Sequence, residues 1–406
     1  MILIPIILIF VIIIARIQRG MFVALLLVVA TKSIFDAYWE YRIGPLSFSS
    51  FGGILIPILF YPVLIKTKEL PKFWLQRSKL IFLALSFGLL WAFPIKPMET
   101  MEIFLVNINI LLGFYIIPIL IDTKEKLRLL LIAIMIAGVF PVAVSIFQFQ
   151  TGIIFQERET VGLTRYVGFY HDGFPVRFYG LFTLFSLLTY LSIFKIKSNF
   201  FLIRSVLLSV GALFSVFLVF SKAGVAILII WLLMIISQSR DRFKIGMYFV
   251  IGFSILFLIF GDFLFSSVEQ LFGKEIGYQE GQVKDARYTL AGRGYIWEHY
   301  WQFWSTEQSF FFQWFGDGLI RPVHNDYLKN LLTNGIIGVL LSIAFLFSMF
   351  KLVLNSSRKV YLFCFMLLSM YVIDGTGLET SLYYYYNILL WGFIGIFTTK
   401  KPYYLK

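Results

Sequence analysis

Apolar runs recur along almost the whole chain, and they fix what it can fold into. They fall near residues 2–15, 21–38, 49–65, 80–95, 101–121, 128–148, 178–194, 205–220, 223–237, 245–265, 332–352, 360–373 and 383–399. Most are about 15–20 residues long, close to the length a helix needs to cross a hydrocarbon core. In that medium a helix satisfies its own backbone polar groups, which an open strand cannot do. A soluble globule is excluded: 59% of the 406 residues are hydrophobic and 14% are charged, against about a quarter charged in soluble domains. The predicted fold class is an all-α polytopic membrane protein with about 12–13 transmembrane helices. The opening MILIPIILIFVIIIAR has no basic segment ahead of its apolar core and no small-residue cleavage site. It therefore reads as the first span rather than as a signal peptide.

The net charge of +13 does not point to nucleic acid, because the basic residues punctuate alternate gaps between the runs. One set of gaps holds Arg16 and Arg19, then Lys66, Lys68, Lys72, Arg77 and Lys79, then Lys124, Lys126 and Arg128. It continues through Lys195, Lys197 and Arg204, then Arg240, Arg242 and Lys244, then Lys351, Arg358 and Lys359, and ends on Lys400, Lys401 and Lys406. An excess of Lys and Arg marks the cytoplasmic side, so two long extracytoplasmic loops are predicted on the other. The predicted organisation is N-terminal helices over 1–148, a first loop over 149–177, central helices over 178–265, a large loop with an amphipathic helix over 266–331, and C-terminal helices over 332–406. No P-loop or dinucleotide fingerprint occurs, and no soluble domain is left on the cytoplasmic side for nucleotide chemistry. Cys364, the single cysteine, lies within an apolar run, which excludes an intrachain disulfide and a cysteine metal site. His171, His299 and His324 lack metal-ligand spacing, so no metal is expected.

The residues suited to chemistry concentrate in the two loops. In GRGYIWEHYWQFW, Arg293, Trp297, Tyr300, Trp301 and Trp304 recur at helical spacing and predict one face of an interfacial helix. Such a face either presents Arg293 along the membrane surface or simply packs over the bundle. In GDGLIRPVHNDYLKN, His324 and Asn325 precede the next apolar run, with Asn325 or Asp326 also suited to capping that helix. The first loop supplies Arg158, Arg165, His171 and Arg177. Arginines on that side run against the charge rule. Either an anion is bound there, since guanidinium grips phosphate oxygens in pairs, or they pair with Glu157, Glu159 or Asp172. Lys32 and Asp36 stand one turn apart, Lys222 lies between two runs, and Asp374 and Glu379 frame a short turn.

These pieces together resemble the O-antigen polymerase and O-antigen ligase superfamily, which includes Wzy-type polymerases and WaaL-type ligases. The resemblance runs from about residue 160 to 340 and rests on RYVGF from Arg165, SKAG from Ser221, GRGYIW from Gly292, GDG from Gly316, HNDYL from His324 and GIIG from Gly335. Lys222 stands where the family has Arg, which keeps the charge and loses the paired geometry. The segment after Gly168 lacks the Pro-Asn of ligase-like members, which favours a polymerase.

The resemblance implies a GT-C-like, metal-independent integral-membrane glycosyltransferase in the bacterial cytoplasmic (inner) membrane, with its active site facing the periplasm or exterior and no cofactor. The implied donor is a polyprenyl-diphosphate-linked oligosaccharide, and the implied reaction joins repeat units of a surface polysaccharide. The alternative is a ligase that moves the glycan onto lipid A-core or protein. His324, Arg293 and Arg165 are the expected catalytic residues. The arginines would hold the diphosphate, and His324 would take the acceptor proton near neutral pH. Arg177, Lys222, Trp297, Tyr300, Trp301 and Asn325 are expected to bind substrate. Membrane lipid, a flippase and a chain-length regulator are the expected partners.

Overall fold

All thirteen apolar runs coincide with helix. The computed structural model describes residues 3–43, 46–195, 198–239 and 242–399. Of the basic residues behind the expected orientation, Lys197, Arg240, Lys400, Lys401 and Lys406 lie outside the described residues. The helices run in chain order as α1 (Leu3–Arg19), α2 (Met21–Ala37), α3 (Phe48–Phe60), α4 (Lys72–Ser86), α5 (Leu89–Ala92), α6 (Pro97–Leu120), α7 (Lys124–Thr151) and α8 (Gly173–Ile193). There follow α9 (Asn199–Leu218), α10 (Lys222–Gln238), α11 (Arg242–Gln279), α12 (Arg293–Gln302), α13 (Phe310–Phe315), α14 (Asp326–Leu354), α15 (Arg358–Gly377) and α16 (Tyr384–Thr399). The described strands form two antiparallel hairpins of two-residue strands: β1 (Arg42–Ile43) with β2 (Leu46–Ser47), and β3 (Glu159–Thr160) with β4 (Leu163–Thr164). Among the described residues six helices, α6, α7, α8, α9, α14 and α15, are long and apolar enough to cross a membrane. The chain is thus an all-α, multi-pass membrane protein.

Small residues let the central helices close on one another, the usual device where helices cannot associate by the hydrophobic effect alone. A Cβ on Gly392 of α16 would lie 2.5 Å from Ile117 of α6, and one on Gly395 would lie 2.6 Å from Pro118. Over that crossing Trp391 stacks on Phe114 with ring centroids 5.2 Å apart. Two buried indoles at this crossing are satisfied: Trp391 Nε1 donates to Asn387 Oδ1 at 2.9 Å, and Trp74 Nε1 to the Phe114 carbonyl at 2.8 Å.

Helix α8 begins at Gly173, inside the loop expected over 149–177, so Arg177 sits on a helix rather than in that loop. Three further departures from the sequence-based expectation each come with a contact remote in sequence. The run at 80–95 is broken between α4 and α5 at Gly88, where a Cβ would fall 1.8 Å from the Thr333 carbonyl and the backbone N–H is accepted by Asn334 Oδ1 at 2.9 Å. The run expected to end near 265 kinks at Phe260 (φ −125°), and a second helical stretch of α11 carries on to Gln279, bringing Glu275 to Lys222. The run entered at Asp326 bends at Gly335 (φ 67°), where a Cβ would lie 2.3 Å from the Trp314 carbonyl. A bend there frees carbonyls of the preceding turn from their helical partners. They are taken instead by Asp317 N–H, to Leu332 at 3.3 Å, and Gly318 N–H, to Thr333 at 2.9 Å. The GDG loop is thereby locked onto α14.

Candidate active site

The two polar connections, 149–172 and 280–325, meet over one cavity of about 830 Å³. It is lined by Arg165, Arg177, Lys222, Arg293, Trp297, His324 and Asn325, so seven of the nine residues proposed for the site from the sequence share one space. Tyr300 and Trp301 do not line it. Each turn of a helix advances about 5.4 Å, and α12 delivers Arg293 and Trp297 to the cavity before Tyr300 has passed beyond it. Trp301 is 52% exposed and packs on Trp304 at 5.0 Å. The expected stripe ends there, because the chain leaves α-helical geometry for a π-helical turn over Phe303–Glu307.

Arg165 is set by the end of α9. Its Nε donates to the Val219 carbonyl at 2.8 Å, and the next N–H, of Tyr166, donates to the Leu218 carbonyl at 3.3 Å. Carbonyls left free at a helix C-terminus attract a cation in this way. The loop behind is pinned by Ser145 Oγ, which donates to the Tyr166 carbonyl at 2.8 Å, and by Gln148 Oε1, which accepts from Gly168 N–H at 2.6 Å. Arg293 opens α12 after three consecutive residues of positive φ, Leu290 (53°), Ala291 (60°) and Gly292 (78°). Two of them are not glycine, so local strain is held in place by the surrounding fold. Arg293 also needs Gly377 on α15, where a Cβ would lie 2.6 Å from its Nη1.

Among the described residues, neither Arg165 nor Arg293 has a carboxylate within ion-pair distance. Burial pushes the Arg165 guanidinium down to about 10; Asp172 opposes this, and Arg177 and Arg293 add to it. Burial, then Arg177, lowers Arg293 in the same sense. Both stay charged near neutral pH, in a cavity that disfavours their charge until an anion is present. None of Arg158, Arg165 and Arg177 forms the ion pair with Glu157, Glu159 or Asp172 that the sequence left open; Arg158 Nε donates instead to the His171 carbonyl at 2.5 Å.

Arg177 and Lys222 line the cavity but are already committed. Arg177 Nη2 lies 2.5 Å from Asp374 Oδ1 and Nη1 donates to Ser221 Oγ at 2.5 Å, tying α8 to α15 and α10. Lys222 Nζ lies 2.5 Å from Glu275 Oε1, which also accepts from the Leu290 N–H at 2.7 Å. That carboxylate holds the strained turn ahead of Arg293. Sequence reasoning missed Glu275 and Gly377, since neither has a local pattern linking it to an arginine elsewhere in the chain.

His324 is exposed and has φ 53°. One carboxylate oxygen, Glu379 Oε1, accepts from the N–H groups of Val323 at 2.8 Å and His324 at 3.0 Å. Trp297 Nε1 donates to the Val323 carbonyl at 3.2 Å, so this indole braces the histidine turn. Asn325 is the N-cap of α14: its Oδ1 accepts from the N–H groups of Tyr327 and Leu328 at 3.0 and 2.9 Å. Two half-buried guanidinium groups with no carboxylate partner among the described residues, and an exposed imidazole, thus share a cavity able to hold a large anion beside a group that can take up a proton. No family model matches the chain, and no curated protein matches it in sequence.

Proposed function

We propose that the protein is an O-antigen or surface-polysaccharide polymerase, a metal-independent glycosyltransferase that joins polyprenyl-diphosphate-linked oligosaccharide repeat units at the outer face of a bacterial cytoplasmic membrane. The observation that carries this reading is the pair of half-buried guanidinium groups, Arg165 and Arg293, which line one cavity with His324 and have no carboxylate partner among the described residues. The motif resemblance, from RYVGF at Arg165 to HNDYL at His324, supports it as well. On this reading the chain has about 12–13 spans in a GT-C-like arrangement, and the cavity opens to the periplasm or exterior.

The reaction follows from charge. An acceptor hydroxyl oxygen bonds to the anomeric carbon of the donor sugar as the bond from that carbon to the diphosphate oxygen breaks. The bonding pair leaves with the diphosphate, where negative charge grows, and fixed guanidinium groups stabilise growing charge more than they stabilise the ground state. The hydroxyl proton passes to the His324 imidazole. Arg177 and Lys222 act at one remove, holding three helices and the Leu290 turn around the arginines.

The test is a reaction of the purified protein in nanodiscs with a lipid-linked repeat as sole substrate. A ladder of products with released polyprenyl diphosphate, absent in Arg293→Ala, is the expected result. Transfer that occurs only after lipid A-core is added would make the protein a ligase and overturn the polymerase reading.

A further inference from the structure

A second cavity, of about 520 Å³, adjoins the cationic one. His171, Asp172 and Phe174 line both, so the two spaces are neighbours across the start of α8. Their linings differ in kind. The second space has one lysine, Lys32, already paired with Asp36, whose Oδ2 also accepts from the Tyr179 hydroxyl at 2.6 Å. Glu102 and Asp172 add further carboxylates. Such a lining repels a second diphosphate. Its remaining surface is apolar, part aliphatic at Ile54, Leu105, Val106 and Leu382 and part aromatic, with Trp39, Tyr383 and Tyr384 beside Phe174. One polar group is left over: Asn109 is 1% exposed, its Nδ2 donates to the Gly53 carbonyl at 2.7 Å, and its Oδ1 has no donor among the described residues. A buried acceptor without a partner costs free energy until a donor reaches it.

We propose that this second cavity binds a neutral carbohydrate chain and that it is the acceptor compartment of the enzyme. The apolar C–H faces of sugar rings fit the aromatic side chains, while hydroxyl groups donate to Asn109 Oδ1 and to the carboxylate of Glu102, which has no ion-pair partner among the described residues. Its size is that of small-ligand sites generally. A chain bound there presents its end to the His171–Asp172–Phe174 wall, next to the diphosphate site. The acceptor role rests on the reading of the cationic cavity as the donor site; carbohydrate binding itself does not.

The experiment uses the full-length protein in nanodiscs and two soluble probes, inorganic pyrophosphate and the lipid-free neutral oligosaccharide repeat of the host's own surface polysaccharide, with binding read by calorimetry. Both probes are expected to bind together without competition. Trp39→Ala and Glu102→Gln should weaken the oligosaccharide about tenfold and leave pyrophosphate binding intact, which also reports that the variants fold. Arg293→Ala should do the reverse. Oligosaccharide binding that is absent, unmoved by Trp39→Ala and Glu102→Gln, or competed away by pyrophosphate would overturn the carbohydrate site while leaving the donor reading in place. Oligosaccharide binding with no pyrophosphate binding would uphold the carbohydrate site and sink the donor reading, and with it the acceptor role.

Discussion

Arg177 and Asp374 form an ion pair at 2.5 Å whose side chains are 5% and 0% exposed, and it joins α8 to α15 beside the cationic cavity. A buried pair of this kind adds little to stability by itself, but removing one member leaves an uncompensated charge at a cost of about 3–5 kcal/mol. Asp374→Ala should therefore destabilise the protein by about that much in thermal unfolding. The double variant Arg177→Met/Asp374→Leu should recover most of the loss. If the double variant unfolded as readily as Asp374→Ala, the pair would matter through something other than charge burial.

Gly377 leaves the space that the Arg293 guanidinium occupies. In Gly377→Ala the new Cβ would lie 2.6 Å from Nη1, so Arg293 must shift. Pyrophosphate affinity and transfer should both fall, with little change in stability, since alanine is the better helix former by about 1 kcal/mol. Arg293→Ala should cost about 10²–10³-fold in turnover, the weight of one preorganised charge contact in a transition state. Unchanged turnover in Gly377→Ala would separate Arg293 from the chemistry.

The turn at His324 separates a fold effect from a chemical one. Glycine accepts φ 53° without strain and alanine does not, so His324→Gly should melt no lower than His324→Ala. Both should lose transfer by about 10²–10⁴-fold, the usual weight of a general base. Glu379→Ala releases two backbone N–H groups and should cost about 1–3 kcal/mol. Full activity in His324→Gly would reassign the base.

A pH dependence follows from the clamp that holds α12. Asp285 binds the Arg287 side chain, accepts its backbone N–H at 2.9 Å and takes the Tyr295 hydroxyl at 2.9 Å, while Arg287 Nη1 reaches Glu298 at 2.7 Å. These contacts, the Arg287 side chain foremost, hold the Asp285 carboxyl well below the usual carboxylate range. A carboxyl lowered by folding stabilises the fold fully above its ordinary value of about 4 and loses that contribution as pH falls through the lowered one. Cleavage of the 280–302 segment by an acid protease should stay slow at pH 4 and accelerate only below it. Release of the segment already at pH 5 would show that the clamp does not hold it.

Hydropathy made the helices legible, because a span must be apolar along its whole length, whereas where each one stops was decided by contacts far away in sequence. Gly88 breaks α4 from α5 against Thr333, and nothing near residue 88 announces it. Residue type left Arg165, Arg293 and His324 open to structural roles, and the motif resemblance is what grouped them; the three do line one cavity. What the sequence withheld was which cations are already paired: Asp374 is 197 positions from Arg177 and Glu275 is 53 from Lys222. Period was a partial guide on α12. It places Arg293 and Trp297 on one side and cannot say how far along the axis the cavity extends.

The bend at Gly335 splits α14 into a short head, held by the GDG loop, by Gly88 and by the bond from Ser381 to Asp326, and a long apolar shaft. In an unbroken helix one inserted residue rotates everything beyond it by about 100°, and His324 would swing with it. Here an insertion in the shaft has a joint to stop at. The shaft can lengthen, shorten or retune to a thicker or thinner bilayer while the head keeps its bearings. Evolution can edit the two halves of one helix under separate rules.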